Sequence, residues 1–382
     1  MRTCHVLSAV LSLFLTTEVI AQTGAAKLDA PQKAALPPAA EQALNDKLQT
    51  MFKTVCSKDE FSGVFLVAYE GRVISEAACG EASKRYHVAN AIGTRFNVAS
   101  VGKMFTAVAI GQLAKAGRLS YADTLDKYLD ASWLATEVTK KITIGQLLSH
   151  TSGLGDIFNA RFFNSPYIHL TTLRELESYK PYTRDARLEF EPGSNYLYSN
   201  MGALLLGVVI EKVSGQNYYD YVREHVFRPA GMDSADNFVR DEGIENLATG
   251  YLDRQNGTAA RKENTLQIPL RGAPYGAAYS TAHDLLRFAR ALQAEILLKP
   301  ATRDLFWQDH TAGHADKGAY GYGFEPGKGG LGKAVGHSGQ FPGVYNKFNM
   351  YLDAGYTVIV LSNYAPGMPP LARHITTVLE GK

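Results

Sequence analysis

Apolar residues near the start of the chain first recur with helical spacing and then form two short, dense runs. The helical spacing predicts an amphipathic helix over residues 41–57, and its apolar positions are Leu44, Leu48, Met51, Phe52 and Val55. Two β-prone apolar runs follow at 64–69 and 73–79, joined by a turn at 70–72 that contains Gly71. The pattern therefore predicts a helix followed by a β-hairpin.

The C-terminal end repeats these elements in the opposite order. Apolar runs at 347–352 and 356–362 flank a turn at 353–355, and a closing helix is predicted over about 369–380. The first of these two strands begins near Tyr345 and follows a glycine-rich stretch that we interpret as a loop.

The middle of the chain carries helical periodicity separated by long loops rich in Gly, Pro and Asn. Helices are predicted at 104–116, 144–149, 201–213, 218–227 and 282–292. Thr143 with Gln146 has the pattern of a capping box, Thr281 with Asp284 opens another helix, and Gly215 stands where a helix ends.

This order of elements predicts an α/β fold of the α+β type. The two terminal hairpins would form one antiparallel sheet, flanked by the N- and C-terminal helices, with an all-helical lobe inserted between them. We expect a catalytic domain over 41–382, with an α/β lobe at about 41–118 and 272–382 and a helical lobe at about 119–271. An active site would then lie in the crevice between the lobes.

The first residues have the pattern of an export signal. Arg2 and His5 precede an apolar run at 6–15, and residues 19–21 have the small-residue pattern of a signal-peptide cleavage site. We therefore expect a signal peptide at 1–21, a flexible Ala- and Pro-rich tether at 22–40, and an exported mature protein that is periplasmic or secreted. An uncleaved membrane anchor is the alternative, but the apolar run is short for a membrane span and Glu18 interrupts it.

Composition and charge narrow the classes of partner. The 382 residues are 46% hydrophobic and 20% charged with a net charge of +2, which is typical of a globular enzyme. Mixed charges without a basic surface argue against nucleic acid as a partner. The oligomeric state cannot be predicted from these features.

Cys56 and Cys79 remain once the signal, which contains Cys4, is removed. In an oxidising compartment they would form one disulfide, and the alternative is a pair of buried free thiols. Neither cysteine has the histidine and acidic neighbours of a metal site, and no metal or organic cofactor is predicted.

Ser100 and Lys103 stand at the start of the apolar helix predicted to reach residue 116. Their spacing places both side chains on one helical face. The helix N-terminus favours a developing oxyanion, and a desolvated lysine has a lowered pKa that lets it accept the serine proton. The alternative is a capping serine beside an exposed lysine.

Two further short motifs follow in the chain. Tyr198 and Asn200 precede another apolar helix, where a phenol and an amide together suit proton transfer and hydrogen bonding to a substrate carbonyl. His337, Ser338 and Gly339 follow the glycine-rich stretch, where an edge strand would bind substrate through its main chain. Each motif alone also fits a structural role, namely a capping Asn beside a packing Tyr or a surface loop.

Together, and in this order, the three motifs resemble those of the serine β-lactamase and penicillin-binding-protein group, specifically its class C branch with related carboxylesterases and D-aminoacyl peptidases. The resemblance extends over about residues 42–380 and includes the turn at 150–154, interpreted as structural. It implies that Ser100 attacks an acyl carbon, that Lys103 takes or relays its proton, and that Tyr198 is a general base.

The same resemblance implies that Asn200 positions Lys103 and the substrate, and that the backbone N–H groups of Ser100 and Gln340 form the oxyanion hole. One departure concerns His337, because β-lactamases and transpeptidases usually have Lys at this position. A histidine of ordinary pKa is mostly neutral at pH 7 and holds a substrate carboxylate less well.

We therefore expect a serine hydrolase that acts through an acyl-enzyme on a small-molecule ester or small amide. A D-aminoacyl peptidase or β-lactamase is the alternative among enzymes. An alternative of another class is a non-catalytic ligand-binding ectodomain with the same fold, against which the intact Ser100, Lys103 and Tyr198 set argues.

Overall fold

The structure is a computed structural model that describes residues 33–164, 170–254, 260–311, 313–314, 318–365 and 370–382. The predicted signal peptide and most of the predicted tether lie outside the described residues. The first helix begins at Pro38, three residues before the predicted start, since proline fits the first turn of a helix where no N–H is needed.

The main sheet is built from both ends of the chain, and most of the helices come from its middle. The helices are α1 (Pro38–Ser57), α2 (Lys103–Lys115), α3 (Thr136–Thr139), α4 (Ile144–Leu148), α5 (Ala160–Phe163), α6 (Lys180–Thr183), α7 (Asn200–Ser214), α8 (Tyr218–Val222), α9 (Arg228–Ala230), α10 (Ala282–Gln293), α11 (Pro300–Phe306) and α12 (Pro370–Leu379). The strands are β1 (Gly63–Tyr69), β2 (Arg72–Cys79), β3 (Glu81–Ser83), β4 (Val88–Ala89), β5 (Phe96–Asn97), β6 (Tyr279–Ser280), β7 (Glu325–Gly329), β8 (Gly332–Phe341), β9 (Val344–Tyr351) and β10 (Tyr356–Ser362). No helix among the described residues is long and apolar enough to cross a membrane.

The main sheet joins the two ends of the chain, as predicted. Its six strands run in the order β2-β1-β10-β9-β8-β7, and every neighbouring pair is antiparallel. The two ends of the chain meet where β1 pairs with β10, and there Phe65 lies opposite Val360. The predicted antiparallel sheet with flanking helices is therefore confirmed.

Alternate residues of the central strands bury against two different layers. Phe65 and Val67 of β1 point to a core completed by α1 and α12. Val64 and Leu66 point to the opposite face, where α2, α7 and α10 form the larger core. This alternation is the two-residue period of a strand that is buried on both faces.

Cys56 at the end of α1 and Cys79 at the end of β2 form a disulfide with Cα atoms 6.1 Å apart. The structure thus favours the disulfide over the two free thiols that the sequence left open. The bond links the first helix to the edge strand of the sheet.

Helix boundaries follow the local signals, with one difference. Thr143 and Gln146 form the capping box, and Gly215 ends α7 with a left-handed φ of 75°. The predicted helix over 218–227 consists of α8 and a π-helical turn, Arg223–Phe227, followed by α9. Pro229 in α9 has no N–H to continue regular α-helical hydrogen bonding.

The glycine-rich stretch that precedes His337 is not a loop. It forms β7, a turn at residues 330–331, and the first half of β8, which begins at Gly332 with a φ of 82°. β7 pairs with β8 only as far as Gly336. The part of β8 from His337 to Phe341 is therefore an open edge on the side away from β9.

Candidate active site

Ser100 lies in a 3₁₀ turn, Ala99–Gly102, that leads directly into α2. The preceding Ala99 has a left-handed φ of 47°, and its carbonyl accepts a hydrogen bond of 2.9 Å from the N–H of Ala277. The Oδ1 atom of Asn97 accepts a 2.9 Å hydrogen bond from the N–H of Ala99. These contacts hold Ala99 in a strained backbone conformation of the kind that is common at active sites.

β8 passes very close to this turn because residue 339 is a glycine. A Cβ atom at Gly339 would lie 2.4 Å from the carbonyl oxygen of Val98 and 3.2 Å from the backbone nitrogen of Ser100. Only a residue without a side chain permits this approach. Gly339 thereby brings the open edge of β8 beside Ser100.

Lys103 is buried beneath Ser100 with only 3% of its surface exposed. Its Nζ atom lies 3.2 Å from the Oγ atom of Ser100, 2.6 Å from Oδ1 of Asn200 and 2.6 Å from the carbonyl oxygen of Tyr275. Burial lowers the pKa of Lys103 to about 7, although the carboxylates of Asp156 and Glu325 oppose the shift.

The three contacts of Lys103 match the groups of a neutral amine. Asn200 Oδ1 and the Tyr275 carbonyl only accept hydrogen bonds, so they take the two N–H groups. The nitrogen lone pair then remains for the hydroxyl proton of Ser100. A lysine with a pKa near 7 in this position has the geometry of a base for the serine.

Tyr198 lies against both predicted partners. Its ring centroid is 4.6 Å from Nζ of Lys103. Burial raises the pKa of Tyr198 well above its usual range, although a hydrogen bond with Ser100 lowers it in part. The phenol is therefore protonated near neutral pH and has a proton to donate, whereas the resemblance implied a general base.

Asn200 is the first residue of α7 and links Lys103 to a carboxylate. Its Nδ2 atom donates a 2.8 Å hydrogen bond to Oδ2 of Asp156, which turns Oδ1 toward Lys103. Ser199 caps α7 by accepting a hydrogen bond from the N–H of Gly202. Asp156 thus orients the amide that the sequence identified, and no sequence motif pointed to it.

His337 lies in the interior, with 1% of its surface exposed. Its Nδ1 atom is 2.5 Å from the carbonyl of Ser338, so Nδ1 carries a proton, and Nε2 accepts from the hydroxyl of Tyr320 at 2.8 Å. Burial lowers the pKa of His337, against the opposing effect of Glu325. The ring is therefore neutral near pH 7, as expected from the sequence, but both nitrogens already have partners within the protein.

The charged group that faces the cleft is Glu325 of β7. Its carboxylate accepts hydrogen bonds from the N–H and Oγ of Ser338 at 3.0 and 2.7 Å, and it lies 3.2 Å from Nζ of Lys347. Burial raises the pKa of Glu325, but His337, which is protonated in acid, together with Lys347 and the bonds from Ser338, outweighs it and lowers that pKa to about 2. A carboxylate, and not a cation, therefore stands where β8 meets the site.

A cleft of about 410 Å³ contains both Ser100 and Glu325. The other residues that line it are Tyr198, His337, Ser338, Gln340 and Tyr345. Seven of the eight predicted site residues thus meet around this cleft or directly behind it, since Lys103 and Asn200 contact each other below Ser100. The eighth, Gly339, provides the close approach of β8.

His150 supports the aromatic wall of the site. Its ring centroid lies 4.3 Å from that of Tyr198 and 4.5 Å from that of Tyr320, and Nδ1 accepts a hydrogen bond from the N–H of Ser199. Burial lowers its pKa well below the usual range. These contacts agree with the structural role predicted for the turn at 150–154.

A serine in a 3₁₀ turn, a buried lysine at the start of the helix that follows, a tyrosine beside them and a strand edge across the cleft define a serine hydrolase of the penicillin-recognising fold. The chain belongs to the family described as Beta-lactamase, whose model matches residues 41–381. The relatives of the chain include an esterase and a D-aminopeptidase, and the chain is accordingly an acyl hydrolase.

Three relatives illustrate the range of the family. Penicillin-binding protein 4* of Bacillus subtilis is 31% identical over 335 residues, which cover 83% of this chain and 71% of the relative. Esterase EstB of Burkholderia gladioli is 29% identical over 342 residues, 79% of this chain and 86% of the relative. The crystal structure of a penicillin-binding protein from Bacillus halodurans superposes with a TM-score of 0.77 at 30% identity, covering 88% of this chain and 98% of the other.

Proposed function

We propose that the protein hydrolyses uncharged esters and small amides through an acyl-enzyme formed at Ser100. The observation that carries the proposal is the position of Lys103 Nζ, 3.2 Å from the Ser100 hydroxyl and bonded to two acceptors. In acylation, Lys103 takes the hydroxyl proton while Oγ bonds to the substrate carbonyl carbon. The backbone N–H groups of Ser100 and Gln340 would stabilise the resulting oxyanion.

Collapse of this intermediate breaks the bond between the acyl carbon and the leaving oxygen or nitrogen. The leaving atom takes a proton from the Tyr198 phenol, which regains one from the Lys103 ammonium, so that Lys103 is neutral again. In deacylation a water molecule gives one proton to the same pair and bonds to the acyl carbon. The bond between this carbon and Ser100 Oγ then breaks, Oγ takes that proton back, and the acid is released.

The charge at the cleft supports uncharged substrates. Glu325 is ionised at neutral pH and lines the cleft of Ser100, while the neutral His337 supplies no cation. A substrate carboxylate placed there meets a like charge, which disfavours anionic β-lactams and peptides with a free C-terminus. Esterase EstB, a relative by sequence, carries an ester-cleaving activity in its name.

A D-aminoacyl amidase or peptidase is the second candidate. The observation that favours it is the same ionised Glu325, because a carboxylate in the cleft attracts the ammonium group of an aminoacyl amide. Turnover of D-alanine p-nitroanilide but not of its N-acetyl form would favour this candidate over the esterase.

The test of the proposed function compares wild type with Ser100→Ala on p-nitrophenyl acetate, the two anilides and a chromogenic cephalosporin. We expect the ester to be turned over fastest and Ser100→Ala to retain less than one hundredth of that activity. Ser57→Ala, an exposed serine at the end of α1, is the matched control. Efficient cephalosporin turnover by the wild type would contradict the proposal.

We also propose that the protein is exported. The signal pattern at the N-terminus supports this, and so does the disulfide between Cys56 and Cys79, since disulfides persist in oxidising compartments. N-terminal sequencing of the mature protein after cell fractionation tests the proposal. A mature chain that begins near Gln22 outside the cytoplasm is expected, and an uncleaved cytoplasmic chain would contradict it.

A further inference from the structure

A second, apolar pocket of about 620 Å³ opens beside the cleft of Ser100. Its apolar walls include Phe158, Phe162, Phe163, Leu170, Leu252 and Phe341. Phe158 is the centre of an aromatic cluster, with its ring centroid 5.1 Å from Phe162 and 5.4 Å from Phe341. Phe163 also lines the pocket; it is 61% exposed, and its ring centroid lies 5.3 Å from that of Phe162.

This pocket adjoins the reacting centre and shares a lining residue with the cleft. Gln340 lines both cavities, and Asn200, whose Oδ1 binds Lys103, lines the apolar one. Phe158 also packs against Tyr275 with ring centroids 5.1 Å apart, and the Tyr275 carbonyl is a partner of Lys103. A group that occupies the pocket is therefore attached within a few bonds of the carbon that Ser100 attacks.

The position of the proton donor relates the two cavities to the two sides of the scissile bond. The leaving atom has to receive a proton, and its proposed donor, Tyr198, lines the cleft with Glu325 but not the apolar pocket. The leaving group is thus directed toward the cleft, and the other substituent of the carbonyl carbon, the acyl group, is directed toward the apolar pocket.

Charge limits the kind of acyl group further. Among the described residues that line the pocket there is no lysine or arginine, and the charged ones are Asp156 and Asp253. An acyl group that ends in a carboxylate has no partner there and meets two like charges. The walls match an uncharged alkyl or arylalkyl group.

We propose that this pocket binds the acyl group of the substrate and makes the enzyme selective for esters and amides of medium-length apolar acids. The inference rests on the proposed acyl-enzyme mechanism at Ser100 and names its substrate class. A fully buried methylene contributes up to about fourfold in binding, so lengthening an acyl chain into the pocket raises kcat/KM stepwise.

The first test uses a pair of isomers, ethyl octanoate and octyl acetate. They have the same atoms and the same apolar surface, but the long chain is on the acyl side in one and on the alcohol side in the other. We expect kcat/KM to be at least about tenfold higher for ethyl octanoate. Equal values, or a preference for octyl acetate, would overturn the assignment of the pocket to the acyl group.

The second test introduces a charge at the mouth of the pocket. Phe163→Glu changes an exposed side chain and places a carboxylate beside the bound chain, so the ratio of kcat/KM for ethyl octanoate over octyl acetate should fall about tenfold. The variant Phe163→Leu, which keeps an apolar side chain, should retain most of the wild-type ratio. Val88→Glu, an exposed apolar residue of β4 that does not line the pocket, is the matched control and should leave the ratio unchanged.

A binding measurement separates this inference from the proposed function. On Ser100→Ala, octanamide should displace the neutral fluorophore N-phenyl-1-naphthylamine at concentrations at least about tenfold below acetamide, and Phe163→Glu should remove the difference. If wild type hydrolyses no ester or amide but this difference is seen, the proposed function fails and the pocket stands. If esters are hydrolysed without this difference or the isomer preference, the pocket assignment fails.

Discussion

At the residue scale, the chemistry depends on how each ionisable group is surrounded. Burial gives Lys103 a pKa of about 7 and keeps Tyr198 protonated, so the two side chains divide the roles of base and acid. Burial also leaves His337 neutral, so the ionised carboxylate of Glu325 sets the charge of the cleft. We therefore propose that Glu325, and not only the absence of a lysine at position 337, selects substrates by charge.

Glu325→Gln should raise turnover of anionic esters relative to neutral ones. Removing the carboxylate removes a like charge and leaves Lys347 unpaired, so the ratio of kcat/KM for 4-acetoxybenzoate over its methyl ester should rise about three- to tenfold. The change should shrink as salt is added. Glu137→Gln, on the exposed part of α3, is the control, and an unchanged ratio in Glu325→Gln would assign charge selection to other groups.

At the element scale, local patterns predicted most of the fold but not the contacts between elements. The terminal hairpins and the helices α2, α7 and α10 follow from periodicity and caps, and the first two motifs point to Ser100, Lys103 and Tyr198. β7 and the first half of β8 were not predicted, because the glycines in this stretch lack the β-branched side chains that are typical of a strand. Glu325 was missed for the same reason, since only the β7–β8 pairing brings it to Ser338.

The approach of β8 to the nucleophile gives a prediction for Gly339→Ala. The added Cβ would lie 2.4 Å from the Val98 carbonyl, so β8 must shift away from Ser100. A shift of about 1 Å in the reacting groups lowers kcat/KM by about a hundredfold, and we expect a loss of this order. The control is Gly327→Ala in β7, whose Cβ would meet nothing within 4 Å. Near-normal kcat/KM in Gly339→Ala would show that the close approach is not required.

At the scale of the whole molecule, the buried lysine makes folding stability depend on pH. The pKa of Lys103 is about 7 in the folded protein and about 10.4 in the unfolded chain. Between these values the unfolded chain binds more protons, so stability rises with pH through this window and the full cost of burying the charge is present below pH 7.

The free energy of unfolding of wild type minus that of Lys103→Met should therefore rise by about 1.4 kcal/mol per pH unit between pH 7.5 and 9.5. Groups common to both proteins cancel in the difference. Guanidinium unfolding of both proteins at several pH values measures it, with circular dichroism as the signal. A difference that stays constant with pH would mean that Lys103 titrates alike in the folded and unfolded states.

The most direct test of the central claim, that neutral Lys103 activates Ser100, is the rate of covalent labelling by a fluorophosphonate as a function of pH. We predict that the wild-type rate rises with pH and has a midpoint at about 7, because only the neutral amine accepts the serine proton. In Lys103→Met the rate should be at least about a hundredfold lower and should lose this midpoint. A wild-type rate that is independent of pH between 5 and 9, or rapid labelling of Lys103→Met with the same midpoint, would contradict the account.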